Sequence, residues 1–295
     1  MKHLYKFIVF IFMIGIAFFS KSIPSISVST TTASSIQDST FPMVYLQVGE
    51  SFINPLHGYS SELNSSTVRE SITPLDTGKT FAVNIAENDS KIKKLSYELR
   101  DIANNKSIET GDITAFDKNK KYKVATVHLK EAMDTSTEYG FCMTLITNYS
   151  KKIHFYTRIK YYDNDFFLSK KLDFVAKFHA ATFDQGKSLD LSQYLESGTN
   201  DDSSYESVDI HSSRKLITWG KLKPRKLTDV VPTVKELNIE TAAISQTYFV
   251  SATTASGSET YQVKEFYRVR YSGGRIYLLY FKRTMEAIFD PSLIS

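Results

Sequence analysis

Residues 139–162 read YGFCMTLITNYSKKIHFYTRIKYY. Two runs rich in aromatic and β-branched side chains, Tyr139–Thr147 and Ile153–Tyr162, flank the polar stretch Asn148-Tyr149-Ser150-Lys151-Lys152. Such residues fit a pleated, half-buried surface, so the spacing predicts two antiparallel strands and a turn. The same grammar extends towards the N-terminus. Met43–Val48, Phe81–Ile85 and Tyr122–Leu129 are short apolar runs closed by polar or glycine-containing segments. Lys94–Ile102 alternates over nine positions, with Leu95, Tyr97, Leu99 and Asp101 on one face. Asn54-Pro55-Leu56-His57-Gly58-Tyr59 reads as a turn cluster. About seven strands at roughly ten-residue spacing, without helical periodicity between them, predict an antiparallel β-sandwich over residues 41–163.

That pattern is similar to immunoglobulin-like and fibronectin-type domains, without the cysteine pair of antibody domains. Beyond Asp163 the period changes to 3.6. Leu168, Leu172, Val175, Phe178 and Phe183, with His179 and Thr182 beside them, line one face of a helix expected over Phe166–Phe183. Asn164 or Asp165 is placed to cap it and Gly186 to end it. A shorter helical piece is expected at Asp190–Leu195, then a polar loop at Gly198–Ser204. Strands follow at Val208–His211, Leu216–Trp219, Ile244–Ala252, Tyr261–Tyr271 and Arg275–Arg283, the last two joined by a tight Ser-Gly-Gly turn. A helix and an antiparallel meander over residues 164–295 make an α+β domain, which resembles the cystatin or NTF2-like layout.

Ahead of these modules, Phe7–Phe19 is thirteen apolar residues, FIVFIFMIGIAFF, behind Lys2, His3 and Lys6. A basic start and an apolar core make residues 1–21 an export signal or membrane anchor. At about 1.5 Å per residue the run reaches about 20 Å, short of a roughly 30 Å hydrocarbon core, which favours a signal peptide. No prompt small-x-small cleavage site follows, which favours an uncleaved anchor, with secretion after cleavage as the alternative. Residues 22–40 are Ser- and Thr-rich and read as a tether. Three of the 36 basic residues, Lys2, Lys6 and Lys21, flank the run, leaving 33 against 32 acidic ones. Bulk charge therefore gives no support to a nucleic-acid partner.

Chemistry-bearing motifs are absent. No two of the six histidines fall at metal-ligand spacing, and no nucleophile elbow, His-Glu-x-x-His run or phosphate-cradling glycine loop occurs. No catalytic, cofactor or metal residue is assigned. Cys142, the single cysteine, reads as a small hydrophobe in a core strand. One strand face carries Lys264, Phe266, Arg268 and Arg270, and with Arg275 it forms a candidate interaction surface. Trp219, Tyr248, Phe249 and Tyr267 either line a pocket of the α+β domain or fill its core, with the core favoured.

Phe41-Pro42-Met43-Val44-Tyr45, Leu56-His57-Gly58-Tyr59, Arg69-Glu70-Ser71-Ile72-Thr73-Pro74-Leu75 and Val263-Lys264-Glu265-Phe266-Tyr267-Arg268 together resemble membrane-anchored extracytoplasmic proteins of Gram-positive bacteria whose activity is uncharacterised. The resemblance covers about residues 40–285 and implies no site residues. The expectation is a non-enzymatic envelope protein, held at the membrane by its N-terminal segment, that binds an envelope protein or wall polymer. Alternatives are a small-ligand-binding protein using the α+β pocket and an exported enzyme with catalytic groups on scattered loops.

Overall fold

The computed structural model describes residues 41–65, 67–119, 121–196, 204–254 and 257–288. Residues 1–40, read above as a signal or anchor and a tether, and most of the Gly198–Ser204 loop lie outside them. No helix among the described residues is long and apolar enough to cross a membrane.

The chain is mainly β, with three sheets. In the first, β2 (Ser51–Leu56), β1 (Met43–Val48), β4 (Thr80–Ala86), β8 (Tyr122–His128) and β7 (Asp117–Asn119) lie in that order. In the second the order is β3 (Ile72–Leu75), β10 (Lys152–Tyr161), β9 (Glu138–Thr147), β5 (Ile92–Asp101) and β6 (Ser107–Ile113). Alternation aims Val44, Leu46, Phe81, Val83 and Ile85 of the first sheet at Leu95, Leu99, Phe141, Met143 and Leu145 of the second, all buried in one cluster. Phe81 meets Phe141 edge-on with ring centroids 5.2 Å apart, a favoured aromatic geometry.

The third sheet holds β11 (Ser207–Asp209), β16 (Arg275–Ala287), β15 (Gly257–Ser272), β14 (Thr241–Thr254) and β12 (Arg225–Lys226), with β13 (Thr233–Leu237) also paired to β14. Gly273 and Gly274 take φ of 58° and 79° in the β15–β16 turn, where only glycine turns at little cost. Helix α1 (Leu168–Phe183) lies on this sheet, its Phe178 packing on Tyr267 and Phe281 at 5.8 and 5.0 Å.

Several local expectations are corrected. Asn54–Leu56 belongs to strand β2 rather than to a turn; it is the sheet's edge, where Pro55 forfeits no ladder bond. Not all pairing is antiparallel, because β3 runs parallel to β10. Leu216–Trp219 is not a strand. Ser213 caps a four-residue helix, α2 (Arg214–Ile217), by accepting from the Leu216 N–H, and Trp219 follows at φ 63°. Neither Asn164 nor Asp165 caps α1; Asp165 accepts from Phe167 N instead. Cys142 sits on the outer face of β9, because Phe141 and Met143 take the core positions on either side. Burial still pushes its thiol up to about 11, which leaves it a poor nucleophile.

The boundary expected after Asp163 falls between β10 and α1, and one buried hydrophobic cluster spans it, from Val44 to Phe281. Asn54 stitches the two lobes. At φ 52° its side chain donates to Ile72 O and Thr73 Oγ1 at 2.9 and 3.2 Å and accepts from Val234 N at 2.9 Å. Its own N–H donates to Pro232 O at 2.8 Å. Tyr162 adds a 2.5 Å bond to Leu237 O. Lys171, fully buried on α1, donates to Phe166 O, Asn238 O and Ile239 O at 2.9, 2.8 and 2.7 Å.

Asn54→Gly preserves the left-handed backbone but strips the side-chain bonds and leaves the buried Val234 N–H without an acceptor. The expected cost is about 2–3 kcal/mol in urea unfolding, with hydrogen-exchange protection lost first at Thr233–Leu237. Unchanged stability would show that the stitch contributes nothing.

Candidate functional site

The outer face of the first sheet does not run to open solvent everywhere. Tyr45 of β1, Phe52 of β2 and Tyr122 of β8 project from it and touch. Tyr45 stacks on Phe52 at 5.2 Å, and Tyr122 meets Tyr45 and Phe52 at 5.7 and 5.5 Å. Opposite them stand the middle of α1, at Ala176, His179 and Ala180, and the segment Lys226–Val231. Between the two walls lies a cleft of about 1320 Å³. An exposed Lys121–Asp229 ion pair at 3.7 Å bridges the walls, a contact worth little by itself.

Two buried amides line this cleft. Asn84 of β4 points outward from its sheet, since its neighbours Val83 and Ile85 take the core side. It is nonetheless only 1% exposed, and its Nδ2 makes no hydrogen bond among the described residues. Gln246 of β14 is 4% exposed, and its Oε1 is likewise unpartnered there. Buried polar groups are nearly always paired, so one idle donor and one idle acceptor on the walls of one cleft require a reason.

His179 adds a third polar group, held from behind. Its Nδ1 lies 2.8 Å from Oε2 of Glu265, and its Nε2 lies 3.5 Å from the Lys226 ammonium. An ammonium can only donate, so Nε2 accepts and Nδ1 carries the proton given to the carboxylate. Lys226 also rides over the Phe183 ring at 5.0 Å. Glu265 itself is 1% exposed and accepts from Tyr248 and Tyr267 hydroxyls at 2.8 and 2.7 Å. Burial pushes its carboxyl upward, but His179, the Arg283 guanidinium and the Tyr267 hydroxyl outweigh burial and hold it below the usual range. Burial, then the adjacent carboxylate, raise both tyrosines well above their ordinary value.

Arg283 completes the core network. Its guanidinium donates to Ile217 O and Leu216 O at 2.8 and 2.9 Å and lies 3.4 Å from the centre of the Trp219 ring. The left-handed turn at Trp219 and Gly220 brings the indole there. Among the described residues, no group of three or more His, Cys, Asp or Glu side chains could hold a metal ion.

The structure places Trp219, Tyr248 and Tyr267 in the interior, at 1%, 1% and 0% exposure, where they surround Glu265 and Arg283. Phe249 lines the cleft instead. Lys264, Phe266 and Arg268 share the outer face of the third sheet and, with Leu279, Tyr280 and Lys282, line a shallow second depression of about 910 Å³. There Arg268 pairs with Glu236 at 3.1 Å and Lys264 with Glu286 at 3.7 Å. Arg270 lies outside it over Tyr277 at 5.1 Å, and Arg275 sits at the hairpin turn. Sequence reasoning missed Asn84, Gln246, Glu265 and Lys226. One signal was present: in Val263–Val269 the inward positions are Val, Glu, Tyr and Val, so an acidic residue occupies a core register. No family model matches the chain, and no curated protein matches it either.

A carboxyl depressed in the fold contributes stability that is present above its unfolded value of 4.5 and lost as pH falls through the lower folded value. Acid unfolding monitored by circular dichroism should therefore steepen below pH 4.5. In Glu265→Gln, stability at neutral pH should drop and this part of the acid dependence should flatten. An identical pH profile in the variant would assign the acid transition to other carboxylates.

Proposed function

We propose that this chain is a non-enzymatic binding protein of the cell exterior, tethered to the membrane by its N-terminal apolar segment, and that the cleft is its ligand site. The observation that carries the reading is the pair of buried, unpartnered amides, Asn84 and Gln246, on the walls of a cleft of about 1320 Å³. Ligand sites are concave, largely apolar and furnished with a few convergent polar groups. Aromatic rings at Tyr45, Phe52 and Tyr122 supply the apolar part. In this reading the sandwich is immunoglobulin- or fibronectin-like and the helix-bearing lobe is cystatin- or NTF2-like, each providing one wall. The export signal of residues 1–21 supports the placement outside the membrane.

An enzymatic reading would make His179 a general base oriented by Glu265. Its Nε2 faces Lys226 at 3.5 Å, and no hydroxyl or thiol bonds to that nitrogen among the described residues, so a nucleophile is wanting. A second reading has the specific support of exposed Leu279 and Tyr280, at 44% and 42%, beside Lys264, Phe266 and Arg268. Such a mixed apolar and basic sheet face suits an envelope partner protein.

Native mass spectrometry of the protein taken from its host cells should find a retained ligand. The double variant Asn84→Leu, Gln246→Leu, which has apolar side chains of similar size, should lose it while remaining folded. A wild-type protein that retains nothing and a folded double variant that is indistinguishable from it would sink the cleft as a binding site.

A further inference from the structure

Resting on that reading of the cleft, we propose that its ligand is an acidic saccharide, a chain of pyranose rings carrying carboxylate groups. Three features of the cleft select this chemistry together. A pyranose ring presents C–H faces that pack flat on aromatic rings, and the Tyr45–Phe52 stack with Tyr122 beside it is such a platform. Its hydroxyls both donate and accept. Asn84 and Gln246 line the cleft with their unpartnered Nδ2 and Oε1 covered, so a hydroxylated ligand satisfies both by drawing these two amides round to face it. An acyl chain would leave the two amides unmet at the full cost of burial.

Charge supplies the third feature. Lys121 and Asp229 cancel across the walls. Lys226 forms no ion pair with a carboxylate among the described residues, and its ammonium is presented beside His179 Nε2. A carboxylate on the ligand gives that ammonium a partner in a half-enclosed site, where a charge-assisted bond is stronger than in open water. A phosphate ester fits less well: phosphate sites typically combine several backbone N–H groups or a helix N-terminus, whereas α1 presents its middle turns, Ala176 to Ala180, to the cleft. The volume, above the usual 300–1,000 Å³ of small-molecule pockets, suits more than one ring.

The test uses the full chain and two pairs of probes, tetragalacturonate with its methyl ester and a hyaluronan tetrasaccharide with its methyl ester. In each pair the ester keeps the skeleton and removes the charge. Calorimetric titration at low salt should show at least one acid binding about tenfold or more tighter than its ester, with hydrogen-exchange protection rising over 226–231. Lys226→Met should remove the difference between acid and ester, and Tyr122→Ala should weaken both forms, while exchange in the core strands stays as in wild type. Equal binding of acid and ester overturns the acidic part. No binding of either saccharide overturns the inference. If a host-derived ligand sensitive to the Asn84/Gln246 double variant is then still retained, the cleft remains a binding site for another class. If none is retained, both readings fall.

Discussion

Burying a carboxylate is among the most expensive things a fold can do, and Glu265 is buried with no exposed side-chain surface. The helix-bearing lobe is arranged around meeting that cost. Two tyrosine hydroxyls and one imidazole N–H donate to the carboxylate oxygens, and the Arg283 guanidinium offsets part of the charge. The same contacts position other elements. His179 ties α1 to β15, and Arg283 ties β16 to the carbonyls of α2 while holding the indole of Trp219. A leucine at position 265 would keep the hydrophobic register and lose the bonds from His179, Tyr248 and Tyr267.

The network also reaches outward. Among the described residues His179 alone both bonds the buried carboxylate and lines the cleft, and its orientation is set by the bond behind it, as the second partner of an imidazole commonly sets the first. Lys226 is then placed by His179 and by the face of Phe183. A rigid interior thus fixes two polar groups on one wall, while β-sheet alternation fixes the aromatic trio and Asn84 on the other. The cleft depends on the lobes staying in register, and Asn54 secures that with bonds to β3, to β13 and to the segment just before it.

How far the chain could be read in advance follows from the range of each interaction. Strand alternation and the helix are local, so Met43–Val48 and the amphipathic face of α1 were legible, as was the Ser-Gly-Gly hairpin. Segments whose conformation is set by distant partners were not. Asn54–Tyr59 looked like a turn because Asn54 and Pro55 are turn formers, yet bonds from Asn54 to Ile72 and Val234 hold Asn54–Leu56 in an edge strand. Trp219 read as the end of a strand and as core rather than pocket; it is core, but it follows a short helix, and its indole lies against an arginine 64 residues later in the chain.

The mainly β character, the amphipathic helix and the apolar, basic-flanked start were legible in the residues alone, because each depends on periodicity or composition within a short window. That Asn84, Gln246, His179 and Lys226 line one cleft follows from the folded chain and from no local pattern. The reason is geometric. They come from a strand of one sheet, a strand of another, a helix and a short edge strand, and only the closed fold brings them onto facing walls.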